Sequence, residues 1–236
     1  MNEKEALKWL PDFRGGGAAA YRSILRPQAY FAETPADVLL RNCLTGLVLL
    51  LALGALIIFC AALWNAGELR ADARSYFESR GVDTEDLPFV LRPGTPVGLL
   101  LFPIYWSGLL LFMSVMRFGI LWLMNARDVA FARVFAVSGH AALSMIVVAT
   151  LLGFMNQLFP ITIDSPAKLP RVVFAMTLCT VAWLNEGRVW SAGARLNFQI
   201  GTGPAVLTWL VPFFAAILLI ISIFFAFSIF VAGGAA

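Results

Sequence analysis

The chain is 236 residues long, 60% of them hydrophobic and 13% charged, with a mean hydropathy of +0.83. A water-soluble domain of this composition would aggregate, so the composition excludes most soluble folds and favours a protein that folds in a bilayer. The net charge is +3, from 17 basic and 14 acidic residues that are crowded into a few segments. Between them lie apolar tracts of about 20 residues or more, the length that a helix needs to cross roughly 30 Å of hydrocarbon.

The N-terminal segment, residues 1–40, is predicted to lie at the cytoplasmic membrane surface. It contains two short candidate helices, Glu3–Leu10 and Ala18–Leu25, and the glycine run Gly15–Gly17 lies between them. Aromatic side chains next to arginine are typical of the lipid headgroup region. Four aromatic residues of the segment fit that pattern: Trp9, Tyr21, Tyr30 and Phe31.

The remainder, residues 41–236, is predicted to be an all-α, polytopic transmembrane helix bundle with about five spans. Thr34-Pro35-Ala36-Asp37 is typical of a helix start, because proline suits the first helical position and an acid suits the first turn. The apolar tract that follows begins too late for a cleavable signal peptide, so we expect it to remain as the first span. The predicted spans are Cys43–Trp64, Gly98–Met124, Val129–Met155, Arg171–Trp190 and Ala205–Ala232.

The distribution of lysine and arginine predicts the orientation, because cytoplasmic loops are enriched in them. With the N-terminus in the cytoplasm, 11 of the 17 basic residues fall on the inner side and 6 on the outer side. Five spans then place the C-terminus on the extracytoplasmic side. The loop at about 66–97 would also be extracytoplasmic, and Leu69, Tyr76 and Phe77 in it share one face of a predicted surface helix.

The residues offer little for catalysis or cofactor binding. His140 is the only histidine, which excludes a haem held by two histidines of this chain and a zinc site with two or three histidine ligands. Ser138 and His140 point about 200° apart on a helix, so they cannot share a proton as nucleophile and base. Nucleophile-elbow and phosphate-loop motifs are lacking as well. We therefore expect a protein without enzymatic activity and without a cofactor.

Among the ionisable residues within the predicted spans, His140, Arg117 and Glu186 are candidates for a function, because ionisable groups in spans often have one. His140 could relay protons or contact a lipid or substrate, or it could be a neutral imidazole bonded to a neighbouring helix. Arg117 lies roughly 10 Å into the second span, where it could reach the inner headgroups or pair internally. Glu186 lies near the inner end of the fourth span, either at the interface or paired with Arg117, which would be at comparable depth. Nearer the surface, Arg22 and Arg26 could bind anionic lipid or be ordinary cytoplasmic charges.

The stretch Ile24–Phe31, ILRPQAYF, resembles the L-x-x-P-x-x-x-F segment that precedes the first span in the Yip (Ypt-interacting protein) domain family. The five-span layout is similar to that family, as are residues 131–137 and 183–195, which resemble the start of its third span and the end of its fourth. The resemblance implies a non-enzymatic membrane scaffold. Eukaryotic members engage small GTPases and one another. For a bacterial member, which the excess of arginine over lysine suggests, the implied role is an inner-membrane protein that assembles with others or shapes lipid.

The sequence thus predicts an integral scaffold or accessory subunit of a larger complex in the bacterial inner membrane. The alternative is a small transporter or permease component, which should show broken helices and polar groups converging near mid-membrane. We expect membrane lipids, other membrane protein subunits or further copies of the chain as partners, and no nucleic acid. The candidate partner or lipid contacts are Arg22, Arg26, Pro27, Phe31, Arg117, His140 and Glu186.

Overall fold

The structure is a computed structural model that describes residues 13–64, 97–127, 129–158 and 168–233. Within these ranges the chain is all-α, as predicted, and forms no strand. The predicted helix Glu3–Leu10 and the extracytoplasmic loop at about 66–97 lie almost entirely outside the described residues. The seven described helices are α1 (Phe13–Leu25), α2 (Pro27–Glu33), α3 (Ala36–Trp64), α4 (Val97–Leu123), α5 (Phe131–Leu158), α6 (Lys168–Phe198) and α7 (Thr202–Gly233).

Three helices are long and apolar enough to cross a membrane: α3, residues Leu101–Leu123 of α4, and α5. They correspond to the first three predicted spans, so the protein is embedded in a membrane. The fourth and fifth predicted spans also form helices, α6 and α7. In the described residues, however, α7 contributes only a shorter apolar stretch, Thr202–Ala215, and α6 has no apolar window of spanning length.

The residues that flank the helices explain several of their ends. Pro27 lies in the first turn of α2, and α3 begins directly after Pro35, because a proline fixes φ at a helical value and lacks the N–H that a first turn leaves unpaired. At the other end, Asn125 follows α4 with φ 50° and Gln199 follows α6 with φ 52°. These left-handed residues stop each helix and turn the chain towards the next one.

The centre of the bundle is α5, which contacts α1, α3, α4 and α6. Val137 and Leu143, near the middle of α5, are fully buried. Close approach depends on glycine: a Cβ added to Gly193 of α6 would lie 2.5 Å from Cγ1 of Val137. Small residues at such positions are what lets helices pack closely in lipid, where the interior of the bundle is no more apolar than its surroundings.

The N-terminal segment differs from its prediction in two respects. Gly15–Gly17 do not separate two helices but lie within α1, and a Cβ on Gly16 would lie 2.5 Å from Cγ2 of Thr45 in α3. Packing of α1 on α3 thus outweighs the cost of about 1 kcal/mol that glycine carries inside a helix. Tyr30 and Phe31 do not present their side chains to lipid headgroups either, since both belong to the buried core. Residues 13–40 are therefore part of the bundle.

Candidate functional site

A buried ion pair joins α4 to α6. Nη2 of Arg117 donates a hydrogen bond to Oε1 of Glu186 at 2.6 Å, and the two side chains are 1% and 10% exposed. The predicted pairing of the second and fourth apolar segments is therefore confirmed. The alternative in which Arg117 extends to the headgroups is wrong, because its whole side chain is enclosed by the bundle. Glu186 likewise lies inside the bundle and not at its surface.

Trp190 contacts both the arginine of this ion pair and helix α7. The guanidinium carbon of Arg117 lies 4.3 Å from the centroid of the Trp190 ring, a cation–π contact. Trp190 is fully buried, and its indole N–H reaches the carbonyl oxygen of Ala205 at 3.2 Å and Oγ1 of Thr208 at 3.0 Å, both in α7. One arginine thus holds an acid and an aromatic ring that are one helical turn apart on α6.

A cavity of about 260 Å³ lies beside the ion pair, enclosed by α4, α5, α6 and α7. Most of its wall is apolar, with aromatic side chains from three helices. Arg117, Ser138 and Glu186 supply charged or hydroxyl groups to it, and all three are buried. Tyr105 and Ile217 also line the cavity but are exposed, so they mark its rim. The cavity therefore runs from an exposed apolar rim to a buried polar end.

Three donors at this cavity have no hydrogen-bond partner among the described residues. They are Nε of Arg117, the hydroxyl of Ser138 and the indole N–H of Trp183, all of them shielded from solvent and all on residues that line the cavity. Buried polar atoms are nearly always paired, so three unpaired donors around one space call for an explanation. In the sequence, Ser138 stands out only as a candidate nucleophile beside His140, and Trp183 carries no signal of its own.

His140 lies on another side of α5 and faces the N-terminal helices. Its Nε2 is 3.1 Å from the hydroxyl of Tyr30 and its Nδ1 is 3.2 Å from the hydroxyl of Ser23. Ser23 donates its own proton to the carbonyl of Ala20, and Asn42 donates to the Tyr30 oxygen. Nε2 also lies 3.4 Å from the carbonyl oxygen of Leu39, so the imidazole has polar atoms of α1, α2 and α3 within hydrogen-bond distance. Burial raises the pKa of the Tyr30 phenol above its ordinary value, and the hydrogen bond from Asn42 lowers it by a smaller amount.

This environment supports the structural interpretation of His140 and confirms that it points away from Ser138. The imidazole is fully buried and packs edge-on against the rings of Tyr30 and Phe31, with centroids 5.0 and 5.9 Å away. Phe31 and Pro27, both predicted as partner or lipid contacts, are buried against the bundle. Pro27 also lines an open cleft, and the role of these two residues as partner or lipid contacts stays a prediction.

Arg22 and Arg26 have different surroundings and do not form one site. Arg22 forms an exposed ion pair with Glu33 at 2.5 Å. Arg26 instead lines an open cleft of about 570 Å³ with Arg188 and Arg195 of α6. Arg188 is engaged there, since it donates to the carbonyl of Ile24 and, at 2.7 Å, to Oδ1 of Asn185.

Within the described ranges, no three His, Cys, Asp or Glu side chains are grouped closely enough to hold a metal ion. The absence of a cofactor stays a prediction. Comparison with protein-family models, characterised proteins and solved structures finds no match to the chain. The resemblance to the Yip domain family therefore also stays a prediction.

Proposed function

We propose that the protein is a non-enzymatic integral membrane scaffold or accessory subunit, of the kind that the Yip resemblance implies, and that it contributes helix surface to a larger membrane complex. The observation that supports this proposal is the uneven burial of α6. In residues 169–181, only Arg171, Ala175 and Leu178 are partly buried, along a single stripe, and the remaining side chains are exposed. Among them are large apolar groups such as Met176, which is 66% exposed.

The second half of α6 contrasts with the first. Residues 182–198 contain most of the buried positions of the helix, including Trp190 and Phe198, and they carry the ion pair with α4. One half of the helix is therefore fixed within the bundle while the other presents an apolar surface. In lipid, helices associate through van der Waals packing of such surfaces. A helix held firmly at one end and uncovered at the other suits a subunit that receives a partner helix.

The ionisable groups within the bundle also support a structural role. His140 connects α5 to the N-terminal helices, and Arg117 connects α4 to α6. Hydrogen bonds and ion pairs between helices are a recognised use of polar side chains in membrane proteins. The proposal includes five spans, a cytoplasmic N-terminus and a bacterial inner membrane, for which the charge distribution and the length of α6 and α7 are the support.

Site-specific photo-crosslinking tests the scaffold proposal in intact membranes. A photoreactive residue at Met176 should form a discrete crosslink to a second polypeptide, either another subunit or a copy of this chain. The matched control is Val115 of α4, which is 52% exposed and also in a membrane helix. If the Met176 position yields only lipid adducts, as expected for the control, the exposed half of α6 faces lipid and the proposal loses its support.

A transporter or permease component is the second candidate, because the cavity lies beside buried charges as a substrate site would. Alternating access requires the cavity to open to both sides of the membrane in turn. A cysteine introduced at Met113, which lines the cavity, should then react with an impermeant maleimide from either side in a variant lacking the three native cysteines. Protection on one side or both would argue against transport.

A further inference from the structure

The cavity between α4, α5, α6 and α7 has features that neither the scaffold nor the helix packing explains. Its polar end is built from Arg117 and Ser138, which are 1% and 0% exposed. Each has a donor that lacks a partner among the described residues, Nε in the arginine and the hydroxyl in the serine. Trp183 adds an unpaired indole N–H from α6. The cavity is thus lined by hydrogen-bond donors that lack an acceptor.

The charge of the site restricts what could supply that acceptor. Arg117 is already neutralised by Glu186 at 2.6 Å, and the carboxylate itself lines the cavity. An anionic ligand would therefore lie close to a negative charge without a free positive one to balance it, in surroundings that screen charges poorly. A neutral carbonyl oxygen fits better, because it accepts hydrogen bonds and carries no net charge.

The shape and lining restrict the rest of the ligand. The volume of about 260 Å³ is slightly below the range of about 300–1,000 Å³ that is typical of small-molecule pockets, so the cavity holds a group of the size of a substituted ring and not a whole lipid. Tyr105, Trp106, Trp183 and Phe213 line it with aromatic faces and edges, which favour a flat ring. An apolar chain attached to such a ring could leave the cavity at the exposed rim formed by Tyr105 and Ile217.

We infer that this cavity is a binding site for a neutral, lipid-soluble ring compound of the quinone type, whose carbonyl oxygen accepts hydrogen bonds from Ser138 and Arg117. The ring packs among the aromatic side chains, and its apolar chain extends past the rim into the bilayer. The site involves binding and no chemical step. It is independent of the scaffold proposal, because the exposed half of α6 contributes nothing to the cavity wall.

The test measures binding of a decyl-substituted benzoquinone to the full chain in phosphatidylcholine nanodiscs, by quenching of tryptophan fluorescence and by the shift in melting temperature. Empty nanodiscs give the background from partitioning. Ser138→Ala should weaken binding about 2- to 12-fold, the effect of one hydrogen bond to a neutral group. Ser144→Ala is the matched control, because Ser144 lies on the same helix and already donates to the carbonyl of Ala182. It should leave the affinity unchanged.

A second variant keeps the test decisive if Ser138→Ala does not fold. Ala142→Leu fills the cavity and should abolish binding, whereas Ala132→Leu on the exposed surface of α5 should not. Palmitate and dioleoylglycerol are the comparison ligands, and both should bind more weakly than the quinone. The inference is overturned if no saturable binding exceeds the empty nanodiscs. Unchanged affinity in Ser138→Ala or Ala142→Leu, or equal or tighter binding of the anion or the ester lipid, would overturn it as well.

Discussion

Separating Arg117 from Glu186 should reveal a strong energetic coupling between α4 and α6. In Glu186→Gln, the guanidinium remains 1% exposed and keeps only the Trp190 ring as a charge-stabilising neighbour. A cation–π contact contributes about 0.5–2 kcal/mol, which is less than the roughly 3–5 kcal/mol lost when one partner of a buried pair is removed. In Arg117→Met, the carboxylate is left without its cation and the Trp190 ring without its charged neighbour. Each single substitution should therefore destabilise the bundle substantially.

The double variant Arg117→Met/Glu186→Gln should be more stable than the worse of the two single variants, because it leaves no isolated charge in the bundle. Methionine also keeps apolar contacts in the space of the arginine stem. We expect a coupling energy of about 2 kcal/mol between the two positions, against about 0.5 kcal/mol or less for independent sites. Each purified variant is denatured in mild detergent, and size-exclusion chromatography measures the fraction that remains folded.

The exposed pair Arg22–Glu33 is the control for this cycle. Its two side chains are 56% and 62% exposed, although the charged atoms are as close as in the buried pair. An exposed pair contributes about 0–1 kcal/mol, so Arg22→Met/Glu33→Gln should show almost no coupling. If the losses at Arg117 and Glu186 simply add, the two residues act independently, and the buried pair is not what connects α4 to α6.

Three further outcomes are expected. A reporter that is active only in the cytoplasm should work when fused before Met1 and fail when fused after Ala236; activity at both ends would mean an even number of spans. The purified protein should carry no haem and no stoichiometric transition metal, and His140→Asn should lower only its stability; a Soret band that disappears with His140 would contradict this. Gly193→Ala should destabilise the protein by about 1–3 kcal/mol through overpacking. In Gly119→Ala a new Cβ meets no described atom within 4 Å, so this substitution should stabilise the protein by roughly 0.5–1 kcal/mol. Equal melting temperatures of the two variants would refute the packing argument.

Features that depend on the length of an apolar tract, or on the depth of a residue along a span, could be predicted from the sequence. An apolar tract of spanning length specifies a helix, which is why the positions of α3, α4 and α5 agree with the sequence prediction. Depth along a span is a count of residues at 1.5 Å each, and this count placed Arg117 and Glu186 at similar levels. Pairing offsets part of the free-energy cost of placing each charge in lipid. The ion pair between Arg117 and Glu186 therefore follows from their opposite charges and similar depths.

Positions that depend on the rotation of a helix about its axis could not be predicted in the same way. Aromatic residues next to arginines are typical of the headgroup region, but Tyr30 and Phe31 are buried because α2 packs on α6. Glycine usually interrupts a helix, but Gly16 lies in α1 because α3 comes too close for a side chain. In both cases a tertiary contact overrides the local preference, and neither contact has a signature in the neighbouring sequence.

The surroundings of the cavity donors also depend on the rotation of a helix about its axis. For this reason Ser138, two positions from His140, has a different environment. On a helix, Ser138 and His140 point to opposite sides, so one can complete a network while the other faces a space. His140 has polar atoms of Ser23 and Tyr30 within hydrogen-bond distance, whereas Ser138 has none among the described residues. If both residues served only to connect helices, each would be expected to have a hydrogen-bond partner on a neighbouring helix. The network at His140 is complete, whereas Ser138 lies beside Arg117 in an aromatic cavity, and this is the reason to look for an acceptor that the described residues do not supply.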